Sequence, residues 1–260
     1  MYLLFLYFST SLFAQAGLTL SETMNYGKCI EYDKYYNELK NYAVYGYKSE
    51  MFGYPEPVLD YYMIQGSLKH TGIKTNIAIA GKGYFRLWDL KNKEYIYTRN
   101  GSFEFKDGYL VLKDRYILNR DNKLFSSVFV LKESIVYIDG NKLFEVKLYL
   151  PQSKKDIIKK DTEIYYFANV SEADDFNMVN GFLEMSTVRV YSHLLTMLGL
   201  LRQIQDGTYL DNKAVSKKSS LLEKCLILLV KQKNAEKWQQ ILNKYLPELM
   251  IEYNEKGEIL

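Results

Sequence analysis

QGSLKHTGIKTNIAIAGKGYFRLWDLKNKEYIYTRNGSFEFKDGYLVLKDRYIL runs from Gln65 to Leu118 and alternates apolar with polar residues in short bursts, each ending at Gly, Asn or Asp. Ile77 and Ile79 share one face, Phe85 and Leu87 another; Tyr95 and Tyr97 follow, then Phe103 and Phe105. A period of two with such punctuation is the pattern of half-buried antiparallel strands joined by tight turns. Asn100-Gly101 and Asp107-Gly108 are the strongest turn signals, because both dipeptides tolerate the positive φ that hairpin turns need.

Working outward, the same pattern continues through 127–130, 135–138, the turn Asp139-Gly140, 143–150 and 164–167. The charged run 154–161 reads as a solvated loop, as does the acidic cluster Glu172, Asp174 and Asp175, which lacks a calcium-loop pattern. Upstream, residues 21–45 read as a helix with Ser21 as its cap, Glu22 in its first turn and a loose stripe at Ile30, Tyr35, Leu39 and Tyr42. Tyr54-Pro55-Glu56-Pro57 reads as an extended linker. Downstream, Val190, Leu194, Met197, Leu201 and Ile204 recur at alternating steps of four and three, a heptad-like seam widened by Leu195 and Leu198. An ordinary core helix and one half of a helix pair both fit this seam, and both bury it. Asp206-Gly207 is expected to interrupt it. Leu221, Leu222, Cys225, Leu226, Leu228 and Leu229 form a second stripe. Trp238, Ile241, Leu242, Tyr245 and Leu249 form a third, which Pro247 should break near Tyr245.

Composition narrows the chemistry. With 260 residues the chain can bury a sizeable core in one or two domains. A net charge of +3 gives no global case for nucleic-acid or membrane-surface binding. Two cysteines, Cys29 and Cys225, exclude a disulfide framework or a zinc cluster, leaving one disulfide or two buried thiols. With only His70 and His193, a histidine-based active site is hard to assemble; His70 reads as a surface turn residue. Gly81-Lys82-Gly83 lacks the glycine spacing and the following Ser or Thr of a phosphate loop. No cofactor or metal set emerges. The 25 tyrosines suit strands and interfaces, although Lys, Asn and Ile are also plentiful, as in a biased codon usage. Residues 1–13 are almost wholly apolar, and Ala14-Gln15-Ala16 suits a small-x-small cleavage site. The segment reads as a signal-peptide-like leader without a basic n-region, with an uncleaved anchor or a buried helix as alternatives.

Four spaced blocks also carry a resemblance: Gln65-Gly66-Ser67-Leu68 with Thr71-Gly72; Ala78-Ile79-Ala80-Gly81-Lys82-Gly83-Tyr84-Phe85; Tyr97-Thr98-Arg99-Asn100-Gly101-Ser102-Phe103; and Gly108-Tyr109-Leu110-Val111. Their order and spacing resemble those of the bacterial flagellar rod and hook family, most nearly its distal rod branch. Asn37, Leu39, Asn41, Gly46, Tyr47 and Lys48 resemble that family's N-terminal NNLANxNTxGYK motif, with Glu38, Lys40, Ala43 and Val44 departing from it. Gly46 is expected to end the helix. Gly181, Leu183, Glu184 and Val188 match the family's QGxLExSNV, which leads into the C-terminal helix, and Asp211–Ser216 resembles its closing segment.

The resemblance implies an α+β fold in which paired N- and C-terminal helices flank a central antiparallel β domain. The boundaries expected are a leader at 1–16, an N-terminal helix region at 17–53, a β-rich domain at 54–180, a C-terminal helix region at 181–230 and a helical extension at 231–260. It implies a structural, non-catalytic component of the flagellar basal body that self-assembles, with other rod or hook subunits or copies of itself as partners, and with neither nucleic acid nor a small-molecule substrate. Arg99 is expected to hold a hairpin by pairing or hydrogen bonding. The alternative is a periplasmic accessory or assembly factor, exported through the Sec route, that does not polymerise; the leader and the C-terminal extension favour it.

Overall fold

Short alternating segments that bury both faces must pack as sheet, and longer stripes of period near 3.6 must pack as helix. The computed structural model describes residues 20–50, 62–127, 129–206, 213–232 and 235–253 and follows this division. The expected leader, the 54–57 linker, Gly207 and the start of the 211–216 motif lie outside the described residues. The fold is α+β. The chain divides into a β unit, residues 41–187, and a helical unit made from the segments on either side of it.

The β unit contains β1 (Leu68–His70), β2 (Ile77–Gly81), β3 (Tyr84–Asp89), β4 (Tyr95–Thr98), β5 (Glu104–Lys106), β6 (Tyr109–Leu112), β7 (Tyr116–Ile117) and β8 (Val130–Lys132). It continues with β9 (Ile135–Ile138), β10 (Asn141–Glu145), β11 (Leu148–Pro151), β12 (Ile157–Lys159), β13 (Ile164–Phe167), β14 (Val170–Glu172), β15 (Phe176–Asn180) and β16 (Phe182–Glu184). Every pairing is antiparallel. The largest sheet runs β12-β13-β4-β3-β7-β6-β5, with β11 joined to β3 and β14. Alternation sorts its side chains between two clusters. Phe85, Leu87, Ile96, Leu148 and Ile164 enter the main core with Ile77, Ile79 and Phe103. Tyr84, Tyr97, Tyr149, Tyr165 and Phe167 build an aromatic layer on the other side. The tyrosines at these positions therefore have a packing role, with Tyr97 stacked on Phe167 at 4.5 Å.

Asp107 and Gly108 turn the β5–β6 hairpin with φ of +52° and +88°, as their residue types predict. Asn100-Gly101 differs from expectation. It makes no hairpin, and neither residue has positive φ. A Cβ on Gly101 would lie 1.7 Å from the Ile77 carbonyl oxygen, so this glycine serves close approach of two backbones. Four other expectations are corrected. Run 154–161 is not a plain loop: a 3-10 turn at Lys154–Asp156 leads into β12, because Asp156 is buried and its carboxylate accepts from Ser153 Oγ and Asn169 Nδ2. Strand 127–130 shifts to β8, and 143–150 splits into β10 and β11. His70 lies in β1, its ring 4.9 Å from that of Phe182, rather than in a turn.

In the helical unit, α1 (Leu20–Lys40) packs on α2 (Val190–Asp206), α2 on α3 (Lys213–Val230), and α3 and α1 on α4 (Ala235–Leu249). All five seam residues, Val190, Leu194, Met197, Leu201 and Ile204, are buried. α1 already includes Leu20, so Ser21 lies inside it. It stops at Lys40, before the expected 45, because two successive turns are closed by Val44 N donating to Asn41 O and Tyr47 N to Val44 O. Gly46 therefore lies in the second turn and does not end the helix. α4 runs through Pro247. Only two helical residues follow the proline, and burial of Leu246, Leu249 and Ile251 fixes that last turn. Cys29 and Cys225 are buried and not joined in a disulfide; burial pushes their thiols up to about 12 and about 11.

Candidate functional site: a buried ionic node

Glu184 ends β16 inside the β unit, and its side chain is fully enclosed. Its Oε1 accepts from Lys48 Nζ at 2.6 Å and from the Gly66 backbone N–H at 2.8 Å. Its Oε2 accepts from Arg99 Nε at 2.6 Å. Arg99 directs its remaining donors at main-chain carbonyls, Nη1 to Gly81 at 3.0 Å and Gly83 at 2.6 Å, and Nη2 to Ile79 at 3.2 Å. Lys48 Nζ also donates to the Ile64 carbonyl. The Glu184 carbonyl accepts from Gly46 N–H at 2.8 Å.

Local backbone geometry explains why these residues meet. Gly46 sits at φ +69°, and a Cβ there would come within 2.3 Å of Asn100 N. Only glycine lets the chain pass against Arg99-Asn100 and hand Lys48 into the interior. The Gly81–Gly83 corner, with φ of +115° and +111°, turns two carbonyls inward toward the guanidinium. Gln65 adds a link that residue types alone left unmarked: its side chain donates to Ile79 O at 2.7 Å and accepts from Gly81 N–H at 3.0 Å.

Two cations face one anion here, away from water. Burial holds the Lys48 ammonium down at about 8; the Glu184 carboxylate pulls it up against that, and the Arg99 charge pushes it down. Neighbouring Tyr84 is pushed far above the usual phenol range by burial. Such a node is not a large net source of stability compared with apolar packing, but removing one partner strands a buried charge at about 3–5 kcal/mol. A lysine with a lowered pKa often marks catalysis. Here Nζ donates to Glu184 and to Ile64 O, the side chain is 1% exposed, and the cleft described below is lined by other residues. The arrangement clamps chain segments together.

Around the node the remaining motif residues form smaller ties. Thr71 N–H and Gly72 N–H both donate to Gly181 O, at 2.7 and 3.2 Å. Thr98 Oγ1 donates to Glu163 O at 2.8 Å. Phe85 meets Phe103 edge-on at 5.3 Å, Leu183 is buried opposite Lys69, and Tyr97 lies in the aromatic layer. Tyr47 O accepts from Thr187 N at 3.1 Å. Asn37, exposed, and Leu39, buried, lie on α1, Asn41 lies in the turn after it, and Val188 is buried just before α2. A second buried carboxylate was not evident from residue types: Glu163 sits under Lys113 at 2.6 Å, beside Asn100 Nδ2 at 3.4 Å. Its only sequence signal is a charge placed directly before β13. Among the described residues no group of His, Cys, Asp and Glu is arranged to hold a metal ion, and no helix is long and apolar enough to cross a membrane. The sequence matches no known family model and no curated protein.

Proposed function

We propose that this chain is a rod- or hook-like axial component of the bacterial flagellar basal body, acting by self-assembly and without catalysis. One observation carries the reading. Blocks picked out by their likeness to the rod and hook family, at Lys48, Gly66, Gly81–Gly83, Arg99 and Glu184, meet at one buried node. Blocks resembling the family by chance would have no reason to converge. The packing of α1 against α2 is in keeping with the paired terminal helices of that architecture, flanking a central β domain. The partners would be other rod or hook subunits or further copies of the chain.

A second reading, a Sec-exported periplasmic accessory factor that does not polymerise, is favoured by α4. This helix extends beyond the family's closing segment, and it and the residues after it are tied to α1: Tyr32 Oη donates to Leu249 O at 2.7 Å, and Tyr253 Oη to Asp33 at 2.8 Å. Fractionation of purified basal bodies, with N-terminal sequencing of the native protein, separates the two. An intact Met1 and rod-like copy number support the axial component. A start near Gly17, with the protein absent from basal bodies, supports the accessory factor.

A further inference from the structure

Beyond Phe85, strand β3 places Arg86 and Trp88 on the side of the sheet away from the main core. Arg86 Cζ lies 4.6 Å from the Tyr95 ring centroid and 4.2 Å from that of Tyr149. Arg120 Cζ lies 3.7 Å from Trp88, whose ring meets Tyr95 edge-on at 5.0 Å. Arg86 and Arg120 line one cleft of about 130 Å³, together with Tyr95, Tyr149 and Lys147.

These two arginines differ from their neighbours. Arg99 is paired with Glu184 and Arg115 with Asp89, each at 2.6 Å. Among the described residues neither Arg86 nor Arg120 has a carboxylate within ion-pair distance. Aromatic rings hold them instead. A guanidinium stacked on a ring keeps its N–H edge available, and that edge matches a carboxylate. Lys147 is already engaged by Glu172 at 2.8 Å.

The cleft's remaining charges define what fits. Asp121 and Glu145 lie on the same lining, so a phosphate backbone with many charges meets repulsion, whereas one anionic group faces the two arginines. The volume is that of about four waters, close to one acidic side chain. Tyr and Arg lining a small cleft, with Trp88 packed against Arg120 and Tyr95, is also the composition of protein-binding hot spots. We propose that this cleft receives an aspartate or glutamate side chain from an acidic segment of a protein partner, the carboxylate held by Arg86 and Arg120.

The experiment uses Trp88 as reporter in a Trp238→Phe background, since the chain has two tryptophans. A glutamate-rich peptide, its glutamine counterpart and an oligothymidylate are titrated at low salt. The expected result is a saturable change in Trp88 emission with the glutamate peptide and at least about 10-fold weaker binding of the glutamine peptide. Arg120→Gln, an exposed change that spares the core, and Arg86→Met should each lower affinity about 10-fold with circular dichroism unchanged. Absence of saturation, equal binding of the glutamine peptide, tighter binding of the oligothymidylate, or a correctly folded Arg120→Gln variant with full affinity would each overturn the proposal.

Discussion

Glu184 in the β unit and Glu38 in the helical unit are both buried carboxylates with a basic side chain nearby, yet their surroundings are unalike. Glu184 makes short contacts with Lys48, Arg99 and the Gly66 N–H. Glu38 faces His193 Nε2 at 3.9 Å, too far for a hydrogen bond, while His193 Nδ1 lies 2.9 Å from the carbonyl of Arg189, just before α2. The difference follows from the backbone. Strand ends and glycine corners leave N–H and C=O groups unused, and these can solvate a buried charge. Mid-helix backbone groups are already bonded within the helix, so charges between helices depend on side chains alone. The β unit is therefore specified by a polar node, and the helical unit by the apolar seam from Val190 to Ile204.

Breaking the node should have the largest effect. Glu184→Ala strands two cations and should cost about 3–5 kcal/mol, read as a lowered urea midpoint. Replacing Lys48, Arg99 and Glu184 all by Met should not restore wild-type stability. The carbonyls of Gly81 and Gly83 and the Gly66 N–H would lose these partners, a deficit of at least about 2 kcal/mol. Full recovery would show that the node works only as an ion cluster and not as a backbone clamp.

The seam should respond by volume. Leu194→Ala opens a cavity at a fully buried position and should cost about 3 kcal/mol by the same measurement, with no pH dependence. Two pH profiles then sharpen the contrast. Lys48 has its folded pKa depressed to about 8, below the usual lysine value. Between these values the unfolded chain holds the extra proton, so this contribution makes stability rise with pH from about 8 to about 10. Lys48→Met should lack the rise. Above about pH 10, the buried tyrosines reverse the trend, because their unfolded phenols ionise first. The smallest effect belongs to His193. Burial lowers its pKa, although the bond to Arg189 O opposes this. Its contribution is full above the usual histidine value and is lost as pH falls below it. His193→Phe should flatten the acid limb of a urea-midpoint profile, with little change at neutral pH.

Strand positions were legible because alternation is local: Ile77, Ile79, Phe85 and Leu87 fall in the main core as their spacing predicts. The seam was legible for the same reason. What could not be read was set by partners distant in sequence. Asn100-Gly101 looks like a hairpin turn, but its glycine answers to the Ile77 carbonyl, on a strand of another sheet. Asp156 looks solvated until Asn169 reaches it. Pro247 looks terminal until burial of Leu249 is counted. Of the node, Lys48, Arg99 and Glu184 were marked as motif residues, but nothing local says that three charges 51 and 85 positions apart share one interior point.

In sequence, the β unit lies between α1 and α2. Where the chain enters and leaves it, the two passing segments are stitched to each other: Thr187 N–H donates to Tyr47 O, and Ser49 N–H to Thr187 Oγ1. The unit spans 41 to 187, that is 187 − 41 + 1 = 147 residues. During synthesis α1 therefore emerges long before its partner, and at ribosomal speed the wait is about 7–30 seconds. Until then its buried face, with Tyr32, Tyr35 and Leu39, stays uncovered. That interval is when a chaperone, or any machinery that handles unfolded chains, would meet the N-terminal helix alone.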